Sequence, residues 1–223
     1  MDVTGFTKTF AMDQGAILSN DQTFQALFNA PLTDGKRGGI CSGLSMIWAA
    51  RRMMFHDETP EQRQAALVAG SGFRWGGQSQ DIHVASQNSG GGAGTFEEQI
   101  ANNYGEALRV YVLRIRGGSL VQGTGTSAEM ADAVVADVKA AGGYYLWLLV
   151  LNTPTGVAGH MCASYASKGT LGMNRHFYFF DPNMGEYRVG TGEAATLLTG
   201  VFDAYAAGNM PCSLALAFEV ERG

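Results

Sequence analysis

Cysteine is scarce in this chain, and the cysteines that occur follow no regular spacing. The 223 residues include three of them, Cys41, Cys162 and Cys212. An odd number without a repeated spacing argues against a disulfide framework, and the absence of a CxxC pair gives no indication of zinc. Free thiols are typical of a reducing compartment, where a cysteine can act as a nucleophile.

The sequence also lacks a long apolar run and a concentration of basic charge. No segment approaches the length of about 20 apolar residues that spans a bilayer, and Met1–Phe6 shows no basic region followed by an apolar stretch. We therefore expect a soluble protein without a Sec signal or an integral membrane segment. The formal net charge is −5 and the basic residues are scattered, which gives no support for nucleic-acid binding.

Hydrophobic periodicity changes along the chain from helical to extended. Mainly helical spacing gives way, after residue 143, to a nearly continuous apolar run and then to strands joined by short turns. Such short connections cannot make parallel crossovers, so we expect antiparallel pairing. The predicted strands of this region are 144–151, 159–167, 175–181, 186–189 and 213–220. The pattern predicts one α+β domain, residues 1–223, with N-terminal helices packed on a central antiparallel sheet.

Two glycine-rich segments separate the predicted elements. Ser71–Gly94 consists mostly of small and amide residues and predicts a long mobile loop, and Gly117–Gly125 predicts another. Because long loops in compact domains often bind ligands, we expect these two to form the walls of a groove. Neither contains the Gly-Lys-Ser/Thr of a phosphate-binding loop. Other predicted elements are helices over 21–29 and 95–104 and a strand over 107–115.

Cys41 stands at the start of a helical pattern. Two glycines precede it, and Leu44, Ile47 and Trp48 then recur at helical spacing, which predicts a buried helix from Cys41 to about Phe55. Unpaired backbone N–H groups and the positive end of the helix dipole favour a thiolate in the first turn and so lower the pKa of a cysteine there. The alternative is that Cys41 packs in the core as a small apolar residue.

A nucleophilic cysteine needs a base, and His160 is the best placed of the four histidines. It opens a predicted strand after a turn, where its side chain can face a cleft, and Asp181 ends the following strand. Because the end of one strand lies beside the start of its antiparallel neighbour, Asp181 can stand next to His160 and orient it. The alternative is that Asp181 only begins a hairpin turn. The remaining histidines lie at a polar helix end, in the flexible segment and beside an arginine: His56, His83 and His176.

Three short segments place these residues in a distinctive context. They are Gly39–Ser45 (GICSGLS), the pair Gly159-His160, and Phe179–Tyr187 (FFDPNMGEY). At these segments, in the order cysteine, histidine, aspartate, the sequence resembles the YopT/AvrPphB-type cysteine proteases that bacteria inject into host cells. The resemblance implies a papain-like fold, a host protein as substrate, action in the host cytosol and no cofactor.

The resemblance also implies a role for each residue. Cys41 would attack a carbonyl carbon as a thiolate, His160 would protonate the leaving group, and Asp181 would orient the imidazole. The oxyanion would be bound by the Cys41 backbone N–H and one upstream side-chain donor. The sequence departs from the papain-like pattern here, because the residues directly before Cys41 include no Gln or Asn. The distant candidates are Gln25 and Asn29.

Other functions remain open at this point. Papain-like glutamine deamidases and transglutaminase-like acyltransferases use the same triad on a side-chain amide and release ammonia. A catalytically inactive binding module would account for the missing oxyanion amide. A metal site at Cys41, His160 and Cys162 lacks a fourth ligand and a recognisable spacing, so Cys162 and Cys212 are interpreted as core residues.

Overall fold

The structure is a computed structural model of the chain. It describes residues 1–19, 39–89 and 94–223. The predicted helix over 21–29 and the candidate donors Gln25 and Asn29 lie outside these ranges. The helices are α1 (Gln14–Leu18), α2 (Cys41–Met54), α3 (Pro60–Val68), α4 (Gly70–Ser89), α5 (Phe96–Arg109), α6 (Ser127–Val138) and α7 (Ala194–Ala207), with a 3-10 turn over Thr191–Glu193. Across the described ranges, none of the helices has the length and apolar content to cross a membrane.

The strands form a single sheet with antiparallel pairings. They are β1 (Lys8–Ala11), β2 (Leu113–Ile115), β3 (Val121–Gly123), β4 (Tyr144–Thr153), β5 (Gly156–Ala166), β6 (His176–Asp181), β7 (Gly185–Gly190) and β8 (Cys212–Arg222). The strand order is β1-β7-β6-β5-β4-β8-β2, and β3 also pairs with β8. Every pairing between named strands is antiparallel, as the short connections predict.

Helices cover both faces of this sheet. Alternate residues of β4 point to opposite faces, so Leu146 packs with α2, α4 and α5 whereas Trp147 and Leu149 pack with α6 and α7. All three side chains are fully buried. The predicted α+β arrangement, with early helices on a central antiparallel sheet, is confirmed, and the late helices cover the other face.

The glycine-rich segment after residue 70 is a helix, so the predicted mobile loop over 71–94 is wrong for the residues that the structure describes. Helix α4 packs against α2 at a point where a Cβ on Gly43 would lie 2.1 Å from the Gly76 carbonyl oxygen. Glycine lowers helix propensity, but here it allows two backbones to approach closely and lets Phe73 become fully buried. Tertiary packing thus outweighs local propensity.

Helix α5 begins as predicted but ends later. Thr95 and Glu98 form the capping box, in which the Thr95 hydroxyl accepts from the Glu98 N–H. The helix then continues to Arg109 instead of ending near residue 104, because Ala107 and Leu108 complete its buried stripe. The strand predicted over 107–115 is therefore reduced to β2, Leu113–Ile115.

Candidate active site

Cys41 is the first residue of α2 and lies at an uncapped helix end. The preceding residue, Ile40, makes no side-chain capping bond, and the helical ladder begins with Leu44 N–H donating to Ile40 O at 3.0 Å. The first-turn N–H groups therefore direct the positive end of the helix dipole at the Cys41 thiol. Gln14 fixes the approach to the helix, because its Oε1 accepts from Ile40 N–H at 3.0 Å.

His160 and Asp181 meet on neighbouring strands, as their positions in the sequence predict. Ala163 of β5 pairs with Phe180 of β6, the residue before Asp181. His160 lies three residues before Ala163, so β5 extends beyond the end of β6 and carries His160 next to Asp181. His160 Nε2 donates to Asp181 Oδ1 at 2.9 Å, which leaves Nδ1 as the ring nitrogen available to a thiol. His160 is 5% exposed and Asp181 is fully buried.

Asp181 accepts hydrogen bonds on both carboxylate oxygens. Asn183 N–H donates to Oδ1 at 2.7 Å, alongside His160, in a turn that the side chain itself stabilises. Tyr205 Oη–H donates to Oδ2 at 2.8 Å and Cys162 Sγ–H donates to Oδ2 at 3.3 Å. Each lone-pair direction of this buried charge is thereby used, as a desolvated carboxylate requires.

The pKa shifts of these three residues follow from burial and from their mutual charges. Burial opposes the imidazolium form of His160, but the Asp181 charge, the neighbouring Cys162 and the hydrogen bonds to both together outweigh it and raise the His160 pKa well above its usual value. Burial also opposes ionisation of Asp181, and the positive His160 with the donors around the carboxylate lowers the Asp181 pKa. Burial likewise disfavours the Cys41 thiolate, yet the hydrogen bond and charge of His160, together with a hydrogen bond from the Met161 backbone, outweigh burial and lower the Cys41 pKa. The arrangement favours a thiolate–imidazolium pair.

A hydrogen-bonded chain links the two sides of the site. Gln14 Nε2 donates to Asn183 Oδ1 at 3.0 Å, and Asn183 Nδ2 donates to Tyr205 Oη at 3.2 Å. Together with the bond from Tyr205 to Asp181, this chain runs from the residue before Cys41 to the carboxylate. Sequence reasoning missed Gln14, which lies in α1 far from Cys41 in the sequence, and Tyr205, which reads only as a buried helix residue.

Cys162 lies beside the His160–Asp181 pair, on the same side of β5 as His160. Ligand atoms of His160, Cys162 and Asp181 lie within 4.8 Å of one another, so these are the described residues that could hold a metal ion. Burial, followed by the Asp181 charge, raises the Cys162 pKa well above its usual value. The group is therefore a protonated thiol that donates to Asp181, and Cys212 is also buried.

The other histidines differ from His160 in their surroundings. His56 is exposed beyond the end of α2. His176 begins β6 and lies 3.1 Å from Arg188 Nη2, and burial followed by that cation lowers its pKa. His83 is held in α4 by stacking on Tyr104, with ring centroids 4.2 Å apart, which corrects its assignment to a flexible segment.

Two cavities meet at Cys41. One, of about 270 Å³, lies towards α4, and the other, of about 420 Å³, lies towards α1 and the β6–β7 turn. Both are also lined by Ala158 and Gly159 of β5. Residues of α4 do form one wall, as expected for that part of the sequence, but no residue of 117–125 lines either cavity. A substrate lying across Cys41 would enter both cavities.

Comparisons with known proteins agree with this arrangement. The chain matches the model of the peptidase C58 family, described as Yersinia/Haemophilus virulence surface antigen, over residues 10–216. It is 26% identical over 208 residues to the cysteine protease avirulence protein AvrPphB of Pseudomonas savastanoi pv. phaseolicola, covering 89% of this chain and 71% of that protein. The crystal structure of the Pseudomonas avirulence protein AvrPphB superposes with a TM-score of 0.66 at 22% identity, covering 88% of this chain and 98% of that chain. The superposition shows a shared fold.

Proposed function

We propose that this chain, which belongs to the peptidase C58 family and is therefore a cysteine peptidase, cleaves specific host proteins. We further propose that Cys41, His160 and Asp181 form its catalytic triad. One observation carries the triad assignment. Cys41, at an uncapped helix end, lines the same cavity as the buried His160, whose hydrogen bond and charge act to lower the Cys41 pKa. The Nε2 of His160 donates to the buried Asp181 carboxylate at 2.9 Å. This arrangement activates sulfur as a nucleophile.

The reaction follows from the protonation states. The Cys41 thiolate attacks the carbonyl carbon of the scissile peptide bond, and the His160 imidazolium then gives its proton to the leaving amine, so that a thioester and a neutral imidazole remain. Neutral His160 next takes a proton from water, which attacks the thioester and releases the carboxyl product and the thiolate. Asp181 holds the imidazole orientation and stabilises its charged form throughout.

The helix end also supplies oxyanion donors. The first-turn N–H groups of α2, including that of Cys41, would donate to the carbonyl oxygen of the substrate, on which negative charge develops during the attack. Gln14 Oε1 accepts from Ile40 N–H and one Gln14 Nε2–H donates to Asn183, so this side chain holds the residue before Cys41 in place. A side-chain donor from Gln25 or Asn29 stays a prediction.

The choice of a host protein as substrate rests on the relative. That protein is named a cysteine protease and an avirulence protein, and the family description refers to virulence. We extend this to action in the host cytosol, with residues 1–223 working as one catalytic domain. The shared sheet, which carries His160 and Asp181 and packs against the Cys41 helix, supports the single domain.

Alkylation of the three cysteines across pH tests the triad. We expect iodoacetamide to modify Cys41 selectively below neutral pH, as read by mass spectrometry, and expect this selectivity to be lost in His160→Ala. Cys162 and Cys212 serve as internal references in the same molecule. Slow modification of Cys41 with ordinary pH dependence, unchanged in His160→Ala, would contradict the triad and favour a binding module.

Labelling of new N-termini in a host-cell extract tests the cleavage. We expect new termini with the native chain and none with Cys41→Ala. Release of ammonia without new termini would instead identify a glutamine deamidase or an acyltransferase.

A further inference from the structure

The cavity of about 270 Å³ beside Cys41 has one polar and one apolar wall. The polar wall is a face of α4, on which Gln80, His83 and Gln87 follow one another at spacings of three and four residues. Strands β4 and β5 provide the apolar wall with Leu148, Val150 and Val157. The packing of α4 against α2 at Gly43 holds the polar wall close to Cys41.

His83 lines this cavity and has a hydrogen-bond acceptor that no described residue uses. Its Nδ1 lies 3.0 Å from Asn103 O, and since a carbonyl oxygen only accepts, Nδ1 carries the proton and Nε2 has the free lone pair. Burial lowers the pKa of His83 and so favours this neutral form. The ring is 5% exposed and is fixed by stacking on Tyr104, and Nε2 has no hydrogen-bond partner among the described residues.

Gln80 presents the complementary donor. Ser42, the neighbour of Cys41, donates its hydroxyl proton to Gln80 Oε1. With its oxygen engaged, the Gln80 amide is left with its Nε2–H groups as donors towards the cavity. A donor and an acceptor thus lie one helical turn apart on the same wall.

The remaining lining excludes other kinds of side chain. Apart from Cys41 itself, none of the lining residues in the described ranges carries a formal charge once His83 is neutral. A charged side chain would therefore lose its hydration without gaining a counter-charge. A purely apolar side chain would leave His83 Nε2 and Gln80 Nε2 unpaired, which also costs free energy.

We propose that this cavity is a specificity subsite for a carboxamide side chain, glutamine in preference to the shorter asparagine, of the substrate polypeptide beside the scissile bond. The substrate amide oxygen accepts from Gln80 Nε2, and its NH₂ group donates to His83 Nε2. The methylene groups lie on Leu148 and Val150. The inference rests on the proposed protease function, because it places a polypeptide across Cys41.

Cleavage of a peptide library made from a digested host proteome tests the subsite. We expect glutamine to be enriched at one fixed position relative to the cut, and kcat/KM to fall at least about tenfold when that glutamine is replaced by the equally long methionine. Cleavage without enrichment of glutamine or asparagine at any position overturns the subsite and leaves the protease function intact. Failure to cleave any peptide overturns the proposed function and the subsite with it.

Variants of His83 test the residue assignment. His83→Phe keeps a ring on Tyr104 but has no acceptor, so we expect the ratio of kcat/KM for the glutamine and methionine peptides to fall to within about twofold of one. His83→Gln restores an acceptor and is expected to recover part of the ratio. His56→Phe, outside the cavity, is the matched control and should keep the native ratio. Because a ratio is measured on one preparation, loss of folded protein cancels, and a native ratio in His83→Phe overturns the proposal.

Discussion

The two halves of the candidate site are held by different kinds of interaction. His160 and Asp181 lie on neighbouring strands, where a backbone ladder sets their spacing and hydrogen bonds to a buried charge set their orientation. Cys41 lies on a helix that is positioned by the contact of Gly43 with the backbone of Gly76. The strand half, His160 and Asp181, depends on the charge of the Asp181 carboxylate. The helical half, Cys41 on α2, depends on the absence of a side chain at Gly43, which allows α4 to approach.

This difference separates chemistry from stability. Removing the charge in the strand half should disable the thiolate–imidazolium pair while the sheet persists, because the ladder does not need the carboxylate. Adding atoms in the helical half should loosen the packing of α2 and α4, because two backbones already touch there. Substitutions in the two halves should therefore differ in their main effect, which falls on activity for the strand half and on stability for the helical half.

Asp181→Asn should have the largest effect, a fall in kcat/KM of about 10³- to 10⁴-fold on a cleavable peptide. Without the carboxylate charge the His160 pKa falls, the imidazolium is lost, and the Cys41 pKa rises. Direct repulsion between Asp181 and the Cys41 thiolate acts in the opposite sense, but it is the smallest of the named influences on Cys41. The pH dependence of Cys41 alkylation should therefore move to higher pH.

The control for this variant is Asp203→Asn, at an exposed position of α7. It removes the same charge outside the site and should leave both the kinetics and the alkylation profile as they are. An Asp181→Asn protein with native alkylation at low pH would show that Cys41 is activated by its helix alone.

Arg63→Met should give the next largest effect, this time on stability. Arg63 donates to both oxygens of Glu186, at 2.8 and 2.7 Å, and both residues are almost completely buried. The pair joins α3 to β7, and removing one partner leaves a buried charge uncompensated. We expect the free energy of unfolding, measured with urea, to fall by about 3–5 kcal/mol.

A surface pair provides the comparison for Arg63. Arg114 Nη2 and Glu221 Oε1 lie 2.9 Å apart at exposed positions. We therefore expect Arg114→Met to lower the free energy of unfolding by less than about 1 kcal/mol. Equal losses of unfolding free energy in the two variants would mean that the ion pair between Arg63 and Glu186 does not stabilise the packing of α3 on β7.

The strand half could be predicted from the sequence because its geometry is set by chain connectivity. Short turns require antiparallel pairing, and this pairing brings the end of β6 beside His160. The start of the Cys41 helix was predictable for a similar reason, since local spacing defines it. The exact partners of Asp181 were not, because Tyr205 and Cys162 reach it only through the packing of α7 and the side-chain direction on β5.

The helical half was predicted less well because its determinants are long-range. Glycine at 72 and 76 indicates a loop when only local propensity is considered, and the contact with Gly43 that makes a helix favourable lies about 30 residues away in the sequence. The same reasoning from local propensity excluded His83 as a candidate base, because it placed this residue in a flexible loop. Its stacking on Tyr104 depends on α5, which no local pattern around His83 reveals.

Gly43→Ala should lower the free energy of unfolding by about 2–3 kcal/mol, because the new methyl group would lie 2.1 Å from a backbone oxygen that cannot rotate away. Gly105→Ala, in α5, is the matched control. A Cβ there meets nothing within 4 Å, so the better helix propensity of alanine should raise stability by about 0.5–1 kcal/mol. If both variants were stabilised, α2 and α4 would have to lie farther apart than the structure places them.

Tyr205→Phe should have the smallest effect, a loss of about 1.5–2 kcal/mol in the free energy of unfolding at pH 7, because one donor to the charged Asp181 carboxylate disappears. The lowered Asp181 pKa adds stability above the unfolded carboxyl pKa of about 3.9, and that stability is lost as pH falls. The variant lowers this pKa less, so the difference from the native chain should stay constant above the unfolded carboxyl pKa and shrink as pH falls below it, through the two folded-state pKa values. Tyr187→Phe, which removes an acceptor for Val3 N–H, should show no such shrinkage in urea unfolding. A pH-independent loss in Tyr205→Phe would mean that its hydroxyl supports packing and not the charge of Asp181.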